Sequence, residues 1–165
     1  MIPSFNEFKK KIANPRSFRL FMLTQLPSAF FAGLRIEQLD ETQIVISVKQ
    51  KWFNKNPFHS VYFAILSMAA EISTGLAGFS AIYKRNPPIS MLVISNDGKF
   101  HKKATGKILF TCRDIAAVHA AVEEAITTGK GVIITCHTTG TNASNEVVAE
   151  FNFTWALLLK TFVSI

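Results

Sequence analysis

The sequence is short of cysteine, of charge and of the residues that interrupt regular structure. Two of its 165 residues are cysteine, eight are glycine, six are proline, and 18% are charged. These figures exclude a disulfide scaffold, a collagen-like or linker polypeptide, and a disordered chain. With 48% hydrophobic residues, the chain is long and apolar enough to bury a core of its own.

Signals for export and for metal binding are also lacking. The first 20 residues contain an early acidic residue and no apolar core, so they do not predict a secretory signal. Cys112 and Cys136 lie in strand-like runs, and we interpret both as buried thiols of a reducing compartment. We therefore expect a cytoplasmic protein. No Cys/His cluster has the spacing of zinc ligands, so we expect no metal site.

Positive charge is concentrated in two places of a chain whose net charge is +7. Five basic residues accompany a single acidic one, Glu7, in residues 1–20: Lys9, Lys10, Lys11, Arg16 and Arg19. A second cluster comprises Lys99, Lys102, Lys103 and Lys107. Such charge suits a polyanionic ligand, an acidic membrane surface, nucleic acid or merely a solvated face. The basic residues do not alternate with exposed aromatics, and no nucleic-acid-binding motif occurs, so we expect no nucleic-acid partner.

The N-terminal region predicts helices followed by a hairpin. Two groups of apolar residues recur at helical spacing: Phe5, Phe8, Ile12, and Phe18, Phe21, Met22. They predict one or two short amphipathic helices over residues 3–26, the second beginning at Pro15. Their basic charge leaves peripheral contact with a membrane open. Alternation in residues 44–48 predicts a half-buried strand, paired with an earlier strand at about residues 33–39.

The most informative segment is Val61–Tyr83, in which Glu71 is the single charged residue. Asn56-Pro57 before it is typical of a helix start. A helix that is apolar on all sides either crosses a membrane or is enclosed by a protein core. A lone carboxylate near mid-membrane is costly, and the strands that follow have apolar faces that need a cover. We therefore predict a core helix and no transmembrane span.

The remaining pattern completes an α+β architecture. Strands are predicted at 89–95, 107–113, 132–136 and 147–155, with a helix between Asp114 and Gly129. A curved, mostly antiparallel sheet of six strands then wraps around the long helix. We expect an N-terminal helical extension (1–28) and a single following domain (29–165). One helix cannot both cover such a sheet and hide its own far side, which predicts a homodimer or a tetramer.

Three segments carry a family resemblance: WFNKNPFHSVYFAILSMAAEISTG, KFHKKATGKILFTCRD and VVAEFNFTWALL. They resemble an uncharacterised, thioesterase-like branch of the hotdog-fold superfamily, a relative of which also occurs fused to acetyltransferases. The residues that fall on its pattern are Trp52, Asn54, Asn56, Tyr62, Phe63 and Glu71. The resemblance covers about residues 30–158 and leaves the N-terminal helices unmatched. It implies the hotdog fold and hydrolysis of an acyl-CoA thioester.

The resemblance also implies a mechanism. In acyl-CoA thioesterases of this fold, the N-terminus of the central helix polarises the thioester carbonyl, and a helix carboxylate serves as nucleophile or general base. Carried over here, Glu71 is the carboxylate. The amide donors come from around His59, Ser60 and Val61, and Asn54 or Asn56 lines the mouth of the site. His59 is a candidate general acid, and Ser60 a candidate hydroxyl group.

Position along the helix makes a second subunit necessary. Ser60 and Glu71 are 11 residues apart, or about 16 Å along a helix axis, so one subunit cannot present both to one carbonyl. The phosphates of coenzyme A are expected at Lys102 or Lys103, with Lys84 and Arg85 as further candidates. Coenzyme A enters only as part of the substrate, and no cofactor is implied.

The sequence departs from the pattern of known acyl-CoA thioesterases at two points, and two other functions stay open. Glu71 lies one turn later than the acidic residue of hydroxybenzoyl- and phenylacetyl-CoA thioesterases. His59, Ser60 and Val61 replace the small residues of their turn, which narrows the site. A non-catalytic acyl- or lipid-binding module would use the same apolar tunnel, with Glu71 as an inert buried acid and Ser60 as a loop hydroxyl. A dehydratase would need His59 as a catalytic histidine.

Overall fold

Six antiparallel strands and five helices make up residues 3–12 and 14–160, the part of the chain that the computed structural model describes. The helices are α1 (Pro3–Ile12), α2 (Pro15–Gln25), α3 (Pro27–Ala32), α4 (Phe63–Ile82) and α5 (Ile115–Thr128), with a single 3-10 turn at Trp52–Asn54. The strands are β1 (Arg35–Leu39), β2 (Ile44–Lys49), β3 (Ile89–Phe100), β4 (Lys107–Cys112), β5 (Val132–Thr141) and β6 (Val147–Leu159).

The strands form one curved sheet in the order β1-β2-β4-β5-β6-β3, and α4 packs on its concave face. Alternation places the apolar side chains of β6 on that face, where Phe151, Phe153, Trp155 and Leu157 are buried. The predicted α+β arrangement, a six-stranded antiparallel sheet around a long helix, is confirmed. Cys112 and Cys136 lie buried in the same core as free thiols, and burial raises the pKa of Cys112 to about 11.

The long helix begins later than the sequence indicated. It starts at Phe63, not after Asn56-Pro57, because the Asn56 side chain holds a loop instead of a helix end: its Oδ1 accepts from the backbone N–H groups of Phe58 (3.0 Å) and Ser60 (3.2 Å). By length and composition alone, α4 is long and apolar enough to cross a membrane. About two thirds of it is buried within the described part of the protein, as expected of a core helix.

One stripe of α4 remains uncovered. Its half-buried or exposed residues recur every three or four positions: Ala64, Met68, Glu71, Gly75, Phe79 and Ile82. Beside this stripe runs β3, which is an edge strand with β6 as its single neighbour in the described sheet. The open side of the molecule therefore combines an apolar helix face with an unpaired strand edge.

Strand β3 is longer than the predicted 89–95. The turn-like residues Asn96, Asp97 and Gly98 continue in extended pairing with β6, opposite Phe153, Asn152 and Phe151. A Cβ on Gly98 would come within 2.5 Å of Cε1 of Phe151, so the glycine makes room for that ring. Cross-strand pairing and ring packing here outweigh the local turn preference.

The N-terminal helices pack against the far half of α4. The ring of Phe8 lies 6.2 Å from that of Phe79 and 5.7 Å from that of Tyr83, and Met22 of α2 is fully buried. A third helix, α3, was not predicted, and it ends at Gly33 in the left-handed conformation (φ 78°). The division of the chain at residues 28 and 29 stays a prediction.

Candidate functional site

The loop before α4 is fastened by its own asparagines. Asn54 is buried, and its Nδ2 donates to the carbonyl oxygens of Ala32 (3.0 Å) and Lys49 (3.1 Å), while its Oδ1 accepts from the N–H of Lys51 (3.0 Å). Asn56 Nδ2 donates to Oγ of Ser60 (3.0 Å). The side-chain nitrogen and oxygen of Asn54 are thus both hydrogen-bonded to the protein backbone, and Asn56 sets the shape of the turn.

A cleft of about 700 Å³ lies at the N-terminal end of α4. It brings together five of the residues predicted from sequence: Asn56, Ser60, Val61, Lys102 and Lys103. Phe63, Leu66 and Phe100 supply apolar walls. His59 is exposed beside the cleft, with a left-handed backbone (φ 58°), and does not line it. The cleft has the mixed polar and apolar lining of a ligand site.

The amides expected from the sequence to bind a carbonyl are already engaged. The N–H of Ser60 donates to Asn56, that of Val61 to the carbonyl of Ala104 (2.8 Å), and that of Tyr62 to the carbonyl of Asn54 (2.8 Å). The amide donors left to bind a carbonyl therefore begin two residues later than expected, at Phe63 instead of Val61. Phe63 and Ala64 begin α4, and the first N–H groups of a helix have no acceptor inside it.

The two lysines of the cleft differ in their surroundings. Lys102 forms an ion pair with Glu146, which the fold places across the loop. Lys103 lines the cleft, and none of the ion pairs in residues 3–12 and 14–160 involves it. Lys103 is thus the better-placed cation for an anionic ligand.

Glu71 lines a second cavity of about 500 Å³. The cavity is walled mainly by apolar side chains from α2, α4, β3 and β6: Phe21, Leu26, Ile72, Leu76, Phe79, Ile82, Ile89, Met91 and Trp155. A Cβ on Gly75 would lie 3.2 Å from Oε1 of Glu71 and 3.5 Å from Cη2 of Trp155, so the carboxylate and the indole both lie beside this glycine.

The Glu71 carboxylate is poorly solvated and unpaired. Within the described ranges, no hydrogen bond or ion pair reaches it. Burial raises the pKa of Glu71, because an ionised carboxylate loses water there without gaining a partner. A carboxylate with a raised pKa in an apolar cavity is suited to act as a base or nucleophile.

The candidate groups of one protomer do not converge. Glu71 lies eight residues past Phe63, which is about 12 Å along the helix axis. Lys84 and Arg85 follow the other end of α4, where Lys84 pairs with Glu7 (3.1 Å) and Arg85 with Glu123. The Glu71 cavity is lined by residues of the uncovered stripe of α4, whereas the cleft lies at the N-terminal end of the helix, beside Phe63 and Leu66.

Solved structures with the same architecture are numerous, although no protein-family model and no curated protein matches the sequence. A Chlorobaculum tepidum protein of unknown function has a TM-score of 0.74 at 18% identity, covering 88% of this chain and 97% of that one. A Pseudomonas aeruginosa protein of unknown function, described as a probable thioesterase, has a TM-score of 0.71 at 21% identity, covering 88% and 96%. The chain has the hotdog fold.

A Haemophilus influenzae thioesterase shares this hotdog fold at lower similarity. Its TM-score is 0.64 at 10% identity, covering 88% of this chain and 92% of that one. Identities this low establish the fold alone, which agrees with the resemblance seen in the sequence. What these proteins do is therefore a starting point for a proposal about the present chain.

Some cavity residues had no signal in the sequence. Phe21 of α2 and Leu26, which follows that helix, lie outside the segments that carry the resemblance, and they line the Glu71 cavity only through the folding of the N-terminal helices. Trp155 ends a predicted strand, but nothing in the sequence places it in the same cavity as Glu71. Residue periodicity reveals which face is buried and does not reveal what lies opposite.

The raised pKa of Glu71 predicts how the stability of the fold depends on pH. A carboxyl whose folded pKa exceeds its unfolded value stabilises the fold at low pH, and this contribution is lost as pH rises through the folded pKa. Glu71→Gln removes the buried charge, so it should raise the free energy of unfolding at neutral pH by about 0.5–2 kcal/mol, the usual range for such gains. Denaturant unfolding at fixed protein concentration measures this.

The difference from wild type should shrink below pH 4.5, the ordinary pKa of glutamate. Glu124→Gln is the matched control, because Glu124 is exposed on α5. If Glu71→Gln were destabilising at both pH values, the carboxylate would have a structural partner and the prediction would be wrong.

Proposed function

We propose that the protein hydrolyses acyl thioesters, with an acyl-CoA as the expected substrate. The observation that carries this proposal is the unpaired Glu71 carboxylate inside an apolar cavity of a hotdog-fold protein. An uncompensated buried acid costs stability, and function is the usual reason for such a cost. The thioesterase descriptions of two structural neighbours support the same reaction class.

The reaction needs a polarised carbonyl and an activated nucleophile. In our proposal the thioester oxygen accepts hydrogen bonds from the first amides of α4, at Phe63 and Ala64, where the helix dipole favours negative charge. As a general base, Glu71 takes a proton from water while the water oxygen attacks the carbonyl carbon; the C–S bond then breaks, and the leaving thiolate receives that proton. As a nucleophile, the Glu71 carboxylate attacks the carbonyl carbon and the C–S bond breaks, which leaves an acyl-Glu71 anhydride and a thiolate; water then hydrolyses the anhydride and supplies the proton that the thiolate takes up. Either route converts the thioester and one water into a carboxylic acid and a free thiol.

Both groups reach one carbonyl only if a second copy contributes one of them. We propose a homodimer formed along the open side, with β3 of each copy paired and the two α4 helices antiparallel. A 12-residue edge strand carrying exposed Leu92 and Ile94 is a surface that proteins normally cover. The pairing sets the helix tip of one subunit toward Glu71 of its partner.

The remaining parts of the substrate have candidate sites as well. Lys103, with Lys102 beside it, is proposed to bind the phosphates of coenzyme A at the mouth of the cleft. The apolar walls around Glu71 are proposed to hold the acyl chain. Hydrolysis consumes only water besides the thioester, so no cofactor is proposed, and the expected setting is the cytoplasm.

A non-catalytic acyl- or lipid-binding module is the second candidate. The predominantly apolar lining of the Glu71 cavity favours it, since such a lining would hold a fatty chain whether or not the carboxylate reacts. In that case acyl-CoA or fatty acid binds tightly and no thiol is released.

Thiol release from a panel of short- and long-chain acyl-CoAs tests the reaction. We expect turnover by the wild type and a loss in kcat/KM of about 100-fold or more in Glu71→Gln, the scale of general-base catalysis. The wild-type kcat/KM should fall as pH drops through the raised pKa of Glu71, because only the ionised carboxylate acts. Glu124→Gln should retain full activity. Binding without turnover would establish the second candidate, and equal activity of Glu71→Gln would refute the assigned role.

The dimer is tested at the strand edge. Leu92→Glu places a charge on the proposed pairing strand at a residue that is 62% exposed, and it should give a folded monomer without thioesterase activity. The matched control is Ile133→Glu, since Ile133 is 66% exposed on β5, an interior strand. Sedimentation velocity gives the oligomeric state. An active Leu92→Glu monomer would contradict catalysis across an interface.

The cavity wall from α2 should set acyl-chain preference. Leu26→Trp fills the cavity beside Glu71, so kcat/KM for long-chain substrates should fall about tenfold or more relative to short-chain ones. Leu23→Trp is the control, because Leu23 has similar exposure one turn earlier, within α2, and does not line the cavity. An identical chain-length profile in both variants would place the acyl chain elsewhere.

A further inference from the structure

An exposed aromatic surface lies apart from both cavities. We call the exposed side chains Phe31, Trp52 and Phe53 the aromatic corner. They are 56%, 80% and 53% exposed, and the rings of Phe31 and Phe53 are 6.5 Å apart. None of the three lines the cleft or the Glu71 cavity. A contiguous patch of this kind on a soluble fold marks an interaction surface.

Cations adjoin the aromatic corner. Lys51 Nζ lies 5.9 Å from the ring centre of Phe53 and donates to the carbonyl of Phe31 (2.8 Å). Arg19 lies over the ring of Phe30 (4.5 Å), which contacts Phe31. These contacts link α2, α3 and the 3-10 turn into one basic and aromatic surface.

A third cation, Arg35, belongs to the same surface. Burial lowers the pKa of Lys51 first, and the positive charges of Arg19 and Arg35 lower it further, which places all three within electrostatic reach of one another. In the described part of the chain, no ion pair involves Arg19, Arg35 or Lys51. Arg35 also acts on Glu37, but that carboxylate is already bound by Lys107 at 2.8 Å.

The basic residues of the N-terminal helices, which the sequence left open for membrane contact, do not all lie on this surface. Arg19 adjoins the aromatic corner, whereas Lys11 of α1 lies 5.7 Å from the ring of Tyr83, which follows the other end of α4. Arg35 and Lys51 come from outside residues 1–28. The surface is therefore assembled by folding and is not a property of the N-terminal helices alone.

We propose that the aromatic corner and its three cations dock on the surface of an anionic lipid bilayer. Tryptophan and phenylalanine side chains enter the interfacial region of a bilayer, and arginine and lysine beside them bind lipid headgroups. The surface lies at the β1 edge of the sheet, opposite the β3 edge that is proposed for dimerisation. Docking therefore leaves the dimer and both cavities free.

Charge favours a lipid surface over a second copy of the chain. In a twofold contact through this patch, the same residues of both copies meet, so Arg19, Arg35 and Lys51 would face their own duplicates, and the nearby carboxylate, Glu37, is already paired with Lys107. An anionic bilayer supplies negative headgroups to the cations and an apolar layer to the rings at once.

The two tryptophans provide a direct test. Trp52 is 80% exposed and Trp155 is 6% exposed, so an emission shift on binding reports Trp52. With the full chain, we expect co-sedimentation and a blue shift with vesicles of phosphatidylcholine mixed with phosphatidylserine, both reduced by salt. Vesicles of phosphatidylcholine alone should give neither. Trp52→Phe should keep the binding and lose the shift.

Variants distinguish this surface from the rest of the protein. Trp52→Ser with Arg35→Gln should weaken binding to the anionic vesicles at least fivefold, since removing one basic residue alone costs about that factor, and should leave thermal unfolding and the oligomeric state unchanged. The control is Ile133→Ser with Lys130→Gln, which are also exposed and lie at the opposite end of the sheet along the strand direction. This variant should bind as the wild type does.

Three results would overturn the proposal: no sedimentation with anionic vesicles, equal binding by the two double variants, or a change of oligomeric state in the Trp52 and Arg35 variant. The last result would make the patch a subunit interface. Because none of these measurements uses thioester hydrolysis, their failure is separate from failure of the proposed enzyme activity.

Discussion

Burial of α4 against the concave face of the sheet is the interaction on which the rest of the structure depends. The helix has no polar face of its own, so it is stable in water only where other elements cover it. Strands β2, β4, β5 and β6 cover one side, while α1, α3 and α5 cover much of the remainder. The stripe containing Glu71 and Phe79 is left, and it lines the Glu71 cavity beside the unpaired strand edge.

The position of Glu71 follows from this incomplete burial. A carboxylate on a fully covered face would need a buried partner, and one on a solvated face would keep an ordinary pKa. At the margin of the covered surface, the Glu71 carboxylate loses enough water for its pKa to rise and still faces a cavity. The helix tip supplies a complementary positive end at Phe63. Within one chain, the distance between the carboxylate and the helix start is therefore fixed by their positions on α4.

Much of this arrangement follows from local pattern. Alternation in β4, β5 and β6 reflects one buried face, and Glu71 is the only charge in the apolar run Val61–Tyr83. The errors have a common origin in partners distant along the chain. Asn56 resembles a helix cap, yet its side chain closes a loop onto Phe58 and Ser60. Asn96–Gly98 resembles a turn, yet pairing with β6 keeps it extended. That Phe21 and Glu71 line the same cavity likewise depends on tertiary packing, which periodicity does not encode.

The wall that α2 contributes to the Glu71 cavity has a consequence for how the molecule can diverge. The acid belongs to the central helix, where almost every neighbour constrains substitution, whereas Phe21 and Leu26 come from a segment anchored mainly through Met22 and Phe18. Descendants of this gene are free to exchange or reshape that segment while the buried scaffold is kept. Drift in the leading helices would then change the shape of the cavity around Glu71 and leave the central helix and sheet as they were inherited.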